Sequence, residues 1–63
     1  MQRNKLNALL EKINSLGFGS HSWTSNAGGY FFYREDRLIL QTTTEDRLYG
    51  GMYGYLMGCL MLK

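Results

Sequence analysis

The chain has 63 residues, 44% of them hydrophobic, with seven Lys or Arg against five Asp or Glu and a formal net charge of +2. This length allows a single domain, residues 1–63, and the hydrophobic share indicates a folded chain rather than a disordered one. The small positive net charge argues against an acidic DNA mimic and gives little support to a polybasic membrane or phosphate binder.

Residues 4–16 have the pattern of an amphipathic helix. Its apolar side chains recur at helical spacing and form one stripe, made of Leu6, Leu9, Leu10, Ile13 and Leu16. The polar face carries Lys5, Asn7, Glu11, Lys12 and Asn14. Asn4 is a candidate N-cap, and Gly17 stands where a left-handed residue commonly ends a helix. We therefore predict an N-terminal helix that buries one stripe.

The middle of the chain has the pattern of an antiparallel meander. Residues 20–25 alternate as a polar strand, and residues 26–29 form a turn signal. Four aromatic residues at 30–33 favour a second strand, a short connection follows at 35–36, and residues 37–43 continue as a third. The sequence thus predicts a sheet of two or three strands.

The C-terminal segment begins with a helix-start pattern, since Thr42 and Glu45 have the spacing of a capping box. A helix from about residue 44 would place Leu48, Met52, Tyr55, Leu56, Cys59 and Leu60 along one side. Its apolar run, residues 48–62, is shorter than the roughly 20 residues that span a bilayer. We therefore expect a buried helix and no membrane span.

Gly50, Gly54 and Gly58 recur every four residues in this helix, and we call them the glycine ridge. A ridge without side chains lets another backbone approach closely, and each glycine costs roughly 1 kcal/mol relative to alanine. The pattern predicts a close contact with the sheet or with a second copy, most simply in a homodimer.

The single cysteine, Cys59, and the single histidine, His21, limit the chemistry. They cannot form an internal disulfide or supply the four ligands of a structural zinc site. A lone cysteine fits a reducing compartment, and no apolar signal-peptide core follows the first residues. We expect a cytoplasmic protein without a metal or other cofactor, in which Cys59 is an inert buried thiol.

His21 lies in the sequence Gly19-Ser20-His21, which resembles the active strand of HicA-type toxin ribonucleases. That resemblance implies an α-β-β-β-α protein in which His21 is the catalytic base. In that family a strand separates the first helix from this histidine, whereas here only residues 17–20 intervene. One histidine without a positioned partner is more commonly an ordinary surface or hydrogen-bonding residue, so we expect no catalytic site.

The aromatic strand must expose two of its rings. Alternation directs either Tyr30 and Phe32 or Phe31 and Tyr33 towards the helices, so the other pair faces outwards. An exposed aromatic pair marks a binding surface or an oligomer contact. The pair could stack on single-stranded nucleic acid, with phosphate contacts from nearby arginines, or bind a protein. The low net charge favours the protein contact.

These patterns predict an α+β fold: an N-terminal helix, a meander and a C-terminal helix with the glycine ridge. The α-β-β-β-α order is similar to that of double-stranded-RNA-binding domains. The predicted partner-binding residues are Trp23, Phe31, Tyr33, Arg34, Arg37, Tyr49 and Tyr53.

The leading hypothesis is a small non-enzymatic protein-binding module, an inhibitor or regulator of the phage or mobile-element kind that occludes a larger protein. The second is a nucleic-acid-binding protein that uses residues 30–33 with Arg34, Arg37 and Arg47. The third is a small ribonuclease-type toxin with His21 as its base.

Overall fold

The computed structural model describes residues 3–62, which form two helices and one three-stranded sheet. In chain order the elements are α1 (Arg3–Ser15), β1 (His21–Asn26), β2 (Gly29–Arg34), β3 (Arg37–Thr42) and α2 (Glu45–Leu62). The sheet is an antiparallel meander in the order β1-β2-β3. The predicted α+β fold and its α-β-β-β-α order are thereby confirmed.

Helix α1 buries the stripe that its sequence pattern predicts. Leu6, Leu9 and Ile13 are buried, while the lysines and Glu11 are exposed. The chain leaves the helix through Gly17, whose φ of +83° is the left-handed conformation that glycine adopts without strain. This helix therefore begins and ends within one residue of its predicted bounds.

Two tight turns set the register of the sheet. Asn26 pairs with Gly29 at the first turn, where the Asn26 side chain accepts a hydrogen bond from the Gly28 amide at 2.7 Å. Arg34 pairs with Arg37 at the second turn, around Glu35 with a φ of +56°. A register shift after Phe32 leaves one extra residue in β3, as in a β-bulge.

One face of the sheet carries both helices. Phe32 is fully buried at its centre, flanked across the strands by Trp23 and Leu40, which pack against the core. The buried core cluster contains Leu6, Leu9, Ile13, Phe32, Leu48, Met52 and Leu56. Since residues from α1, β2 and α2 meet in this cluster, the two helices and the sheet share one core.

Helix α2 begins at a different cap from the predicted one. The hydroxyl of Thr44, rather than Thr42, accepts a hydrogen bond from the Arg47 amide at 3.1 Å, and the Thr44 carbonyl accepts one from the Leu48 amide at 3.0 Å. The hydroxyl of Thr42 instead donates to the Thr44 carbonyl at 3.1 Å. The capping-box prediction was therefore wrong by two residues, because Thr42 still belongs to β3.

The buried side of α2 is narrower than predicted. Leu48, Met52, Leu56 and Cys59 are buried and Tyr55 is partly buried, but Leu60 is 46% exposed. Neither helix within residues 3–62 combines the length and the apolarity that crossing a bilayer requires.

Candidate partner-binding surfaces

His21 lies at the centre of a buried polar cluster in which α1, β1 and α2 meet. The Asn14 side chain pairs with the His21 backbone, accepting from its amide at 2.7 Å and donating to its carbonyl at 3.2 Å. The ring nitrogen Nδ1 lies 3.1 Å from both the Asn14 side-chain oxygen and the Gly19 carbonyl. Nε2 lies 2.8 Å from the Tyr55 hydroxyl. Both ring nitrogens are therefore hydrogen bonded.

These partners define the form of the His21 ring. Since both neighbours of Nδ1 are acceptors, Nδ1 carries the proton and Nε2 accepts from the Tyr55 hydroxyl. The ring is also stacked on Phe32, with centroids 5.7 Å apart, and only 3% of His21 is exposed. A general base must reach its substrate, but this ring is buried and both of its nitrogens are hydrogen bonded within the protein. The geometry thus gives His21 a structural role.

Burial in this cluster lowers the pKa of His21 below its ordinary value of 6.5. The positive charge of Arg34 acts in the same direction, while the Gly19 carbonyl and the Glu35 carboxylate oppose it. Burial likewise raises the pKa of Tyr55, and neighbouring Cys59 adds to that rise. The cluster therefore favours neutral His21 and neutral Tyr55, joined by a hydrogen bond.

The lowered pKa of His21 predicts acid destabilisation. The unfolded chain takes up a proton near pH 6.5, before the folded chain does, so this contribution to stability is fully present above that pH. It is lost as the pH falls from 6.5 towards the lower folded-state pKa. Urea unfolding at about pH 7.5 and about pH 5.5 measures the effect. The His21→Gln variant should show a smaller loss, and an equal loss in both proteins would contradict the assignment.

The outer face of the sheet is uncharged at its paired positions. Register places Phe31 and Tyr33 on this face, opposite Gln41 and Leu38 on β3, while Tyr30 and Phe32 face the helices. Phe31 and Tyr33 are each partly buried, whereas Leu38 is 46% exposed. The outward aromatic pair is therefore Phe31 and Tyr33.

The three other predicted residues of the aromatic surface lie on the opposite face. These residues are Trp23, Arg34 and Arg37. Trp23 pairs with the buried Phe32, and Arg34 pairs with both His21 and Arg37. All three predicted residues are therefore on the helix side of the sheet. The Trp23 indole donates to Asn7 at 3.0 Å, and the Arg3 guanidinium lies 5.5 Å from the centre of its rings. The structure thus separates Phe31 and Tyr33 from the cations that were predicted to accompany them.

The two helices leave a groove between them, and it contains the predicted residues Tyr49 and Tyr53. Leu9 from α1 and Leu56 from α2 are buried beside it, and Met57 and Leu60 line it further along α2. The groove has a volume of about 630 Å³. The Tyr49 and Tyr53 rings stack on one another with centroids 6.3 Å apart. These tyrosines are thus part of one concave, mainly apolar surface.

The glycine ridge lies in the open on α2. A methyl group added at Gly50, Gly54 or Gly58 would meet no atom within 4 Å, other than those of its own chain neighbours and helix backbone. The close contact with the sheet occurs at Gly51, where an added methyl group would collide with the side chain of Leu40. The ridge therefore makes no contact with the sheet, and a contact with a second copy stays a prediction.

Sequence reasoning missed both the His21 cluster and the groove. The signal for the groove was present in α1, because Lys5 and Lys12 are seven residues apart and both flank the apolar stripe. They had been assigned to the same solvated face as Asn7 and Asn14, which instead bind β1.

Together the fold and these surfaces define a small α+β protein with a helix groove on one side and an open sheet on the other. Within residues 3–62 no three His, Cys, Asp or Glu side chains are grouped so that they could hold a metal ion. Comparison of the chain with protein-family models, curated proteins and solved structures finds no match.

Proposed function

We propose that this chain is a non-enzymatic protein-binding module that acts as a small inhibitor or regulator by covering part of a larger protein. The observation that carries this proposal is the solvent side of α2. No charged residue occurs from Leu48 to Leu62, and large apolar side chains are exposed there: Tyr53 49%, Met57 44%, Leu60 46%, Met61 85% and Leu62 82%.

Such a surface is unusual for a free monomer. Contiguous exposed apolar patches mark binding sites, whereas single exposed apolar residues need no explanation. Tyrosine and methionine are enriched at the centres of protein interfaces, and methionine side chains repack easily against different partners. The α2 surface combines both residue types beside a groove, which supports a protein partner.

The aromatic sheet face supports nucleic-acid binding less well. Nucleic-acid platforms combine stacking rings with cations that contact phosphates. Here the paired positions around Phe31 and Tyr33 carry Ser22, Thr24, Leu38 and Gln41, none of which is charged.

The test is capture of partners by the tagged full chain from host lysate after nuclease treatment. The Tyr53→Gln/Met57→Gln variant changes two exposed groove residues to good helix formers, so we expect at least a tenfold loss of captured partner. The matched control, Leu38→Thr/Ile39→Thr, changes two exposed residues of β3 and should retain the partner. Circular dichroism checks that both variants fold. If capture without nuclease recovers nucleic acid alone, and capture after nuclease recovers no protein, the proposal is contradicted.

A further inference from the structure

The groove between α1 and α2 has the length of a short docked helix. Its lining extends from Lys5 on α1 to Leu16, just after the end of α1, and from Tyr49 to Leu60 on α2. From Tyr49 to Leu60 the helix makes eleven steps of about 1.5 Å, or about 17 Å in all, which corresponds to roughly three turns of a helix lying alongside. Tyr53, Met57 and Leu60 line the groove with 44–49% of their surface exposed, so they offer the apolar contacts that an amphipathic helix uses when it binds in a groove.

Charge is distributed unevenly around this groove. Lys5 and Lys12 line its α1 side, and its α2 side carries the uncharged residues Tyr49, Tyr53 and Met57. No carboxylate is among the lining residues. The two lysines are seven residues apart on one side of α1, so their backbone positions are about 10 Å apart. Both side chains are exposed and free to reach a bound partner.

We propose that the groove binds an amphipathic helix of a partner protein that carries carboxylates along one flank, about two turns apart. The apolar stripe of that helix packs on the exposed side chains of Met57 and Leu60, above the buried floor of the groove, and its carboxylates pair with Lys5 and Lys12. Complementary charge at the edge of an apolar contact determines the orientation and the choice of partner. This inference rests on the proposed function and specifies the chemistry of the partner.

A second copy of the chain does not offer this chemistry. Its five acidic residues are Glu11, Glu35, Asp36, Glu45 and Asp46. Helix α1 has only Glu11, and the carboxylates of α2 are adjacent in its first turn. Neither helix therefore has two carboxylates about two turns apart. The charge of the groove favours a different protein over self-association at this surface.

The test measures binding of synthetic peptides to the full chain by fluorescence anisotropy. One peptide is an amphipathic helix of about five turns with a leucine stripe and glutamates along one flank, and its counterpart has lysines in place of the glutamates. The Lys5→Glu/Lys12→Glu variant reverses the sign of the charge at the edge of the groove. The control, Arg37→Glu/Arg47→Glu, reverses two exposed charges outside the groove. Each substitution exchanges one positive for one negative charge, so both double variants change the formal net charge from +2 to −2.

We expect the lysine reversal to weaken binding of the acidic peptide by about tenfold, and the control to weaken it by less than about threefold. We also expect the lysine peptide to bind the reversed groove more tightly than it binds the unaltered protein. Equal affinity for the two peptides, equal effects of the two variants, or a homodimer that buries Lys5 and Lys12 would each overturn the inference. If the variant with reversed lysines still captures a partner that Tyr53→Gln/Met57→Gln loses, the inference fails while the proposed function stands.

Discussion

Replacing His21 by alanine should lower the free energy of unfolding by about 3 kcal/mol, a large share of what a domain of this size has. The side chain is 3% exposed, is bonded through both ring nitrogens and packs against Phe32 and Tyr55. Its removal leaves a cavity and also leaves the Tyr55 hydroxyl without its acceptor. Urea unfolding followed by circular dichroism measures the loss.

Two further variants separate the parts of this effect. Tyr55→Phe removes only the hydroxyl that His21 accepts from, so it should cost about 1 kcal/mol. Ser22→Ala alters an exposed neighbour on the other face of β1 and should change stability by less than about 0.5 kcal/mol. A His21→Ala protein as stable as the Ser22→Ala protein would show that the cluster does not support the fold.

The order of the elements could be predicted because each has a strong local pattern. The leucine stripe of α1 repeats at helical spacing, and the aromatic run of β2 lies between two turn signals. Local pattern could not show which aromatic pair faces the helices, because residues 30–33 are aromatic on both faces. Phe32 lies in the core because it packs in one cluster with residues of both helices, such as Leu6 and Met52, and these are distant from it in the chain.

The candidate binding surfaces were predictable only where they depend on one element. Tyr49 and Tyr53 lie on one side of α2 by spacing alone, and both line the groove. The groove itself needs α1. In the His21 cluster, the hydrogen bond between His21 and Tyr55 joins residues 34 positions apart, which no periodicity reveals. Arg34 and Arg37 were grouped with Phe31 because they are near it in sequence. Strand alternation and register place the two arginines on one face of the sheet and Phe31 on the other.

Alanine substitutions at the glycines of α2 should cause the second large change in the free energy of unfolding. Gly54→Ala should raise the free energy of unfolding by about 1 kcal/mol, since alanine favours the helix and its methyl group meets nothing outside the helix. The triple variant Gly50→Ala/Gly54→Ala/Gly58→Ala should gain roughly 2–3 kcal/mol. Gly51→Ala is the matched control, because its methyl group would collide with the partly buried side chain of Leu40, which must shift to make room. That displacement should cancel or exceed the gain from helix propensity.

The same variants test the predicted homodimer, because a partner on the glycine ridge would need the close approach that the absence of side chains allows. If a second copy packs there, the triple alanine variant keeps its gain in stability at low concentration but associates more weakly than the unaltered protein. Sedimentation equilibrium over a range of concentrations measures this directly. Unchanged association would remove the ridge from any dimer contact, and Gly54→Ala proteins less stable than the unaltered chain would show that the ridge is covered. The different effects on stability expected at Gly51 and Gly54, three residues apart, therefore report which side of α2 another surface touches.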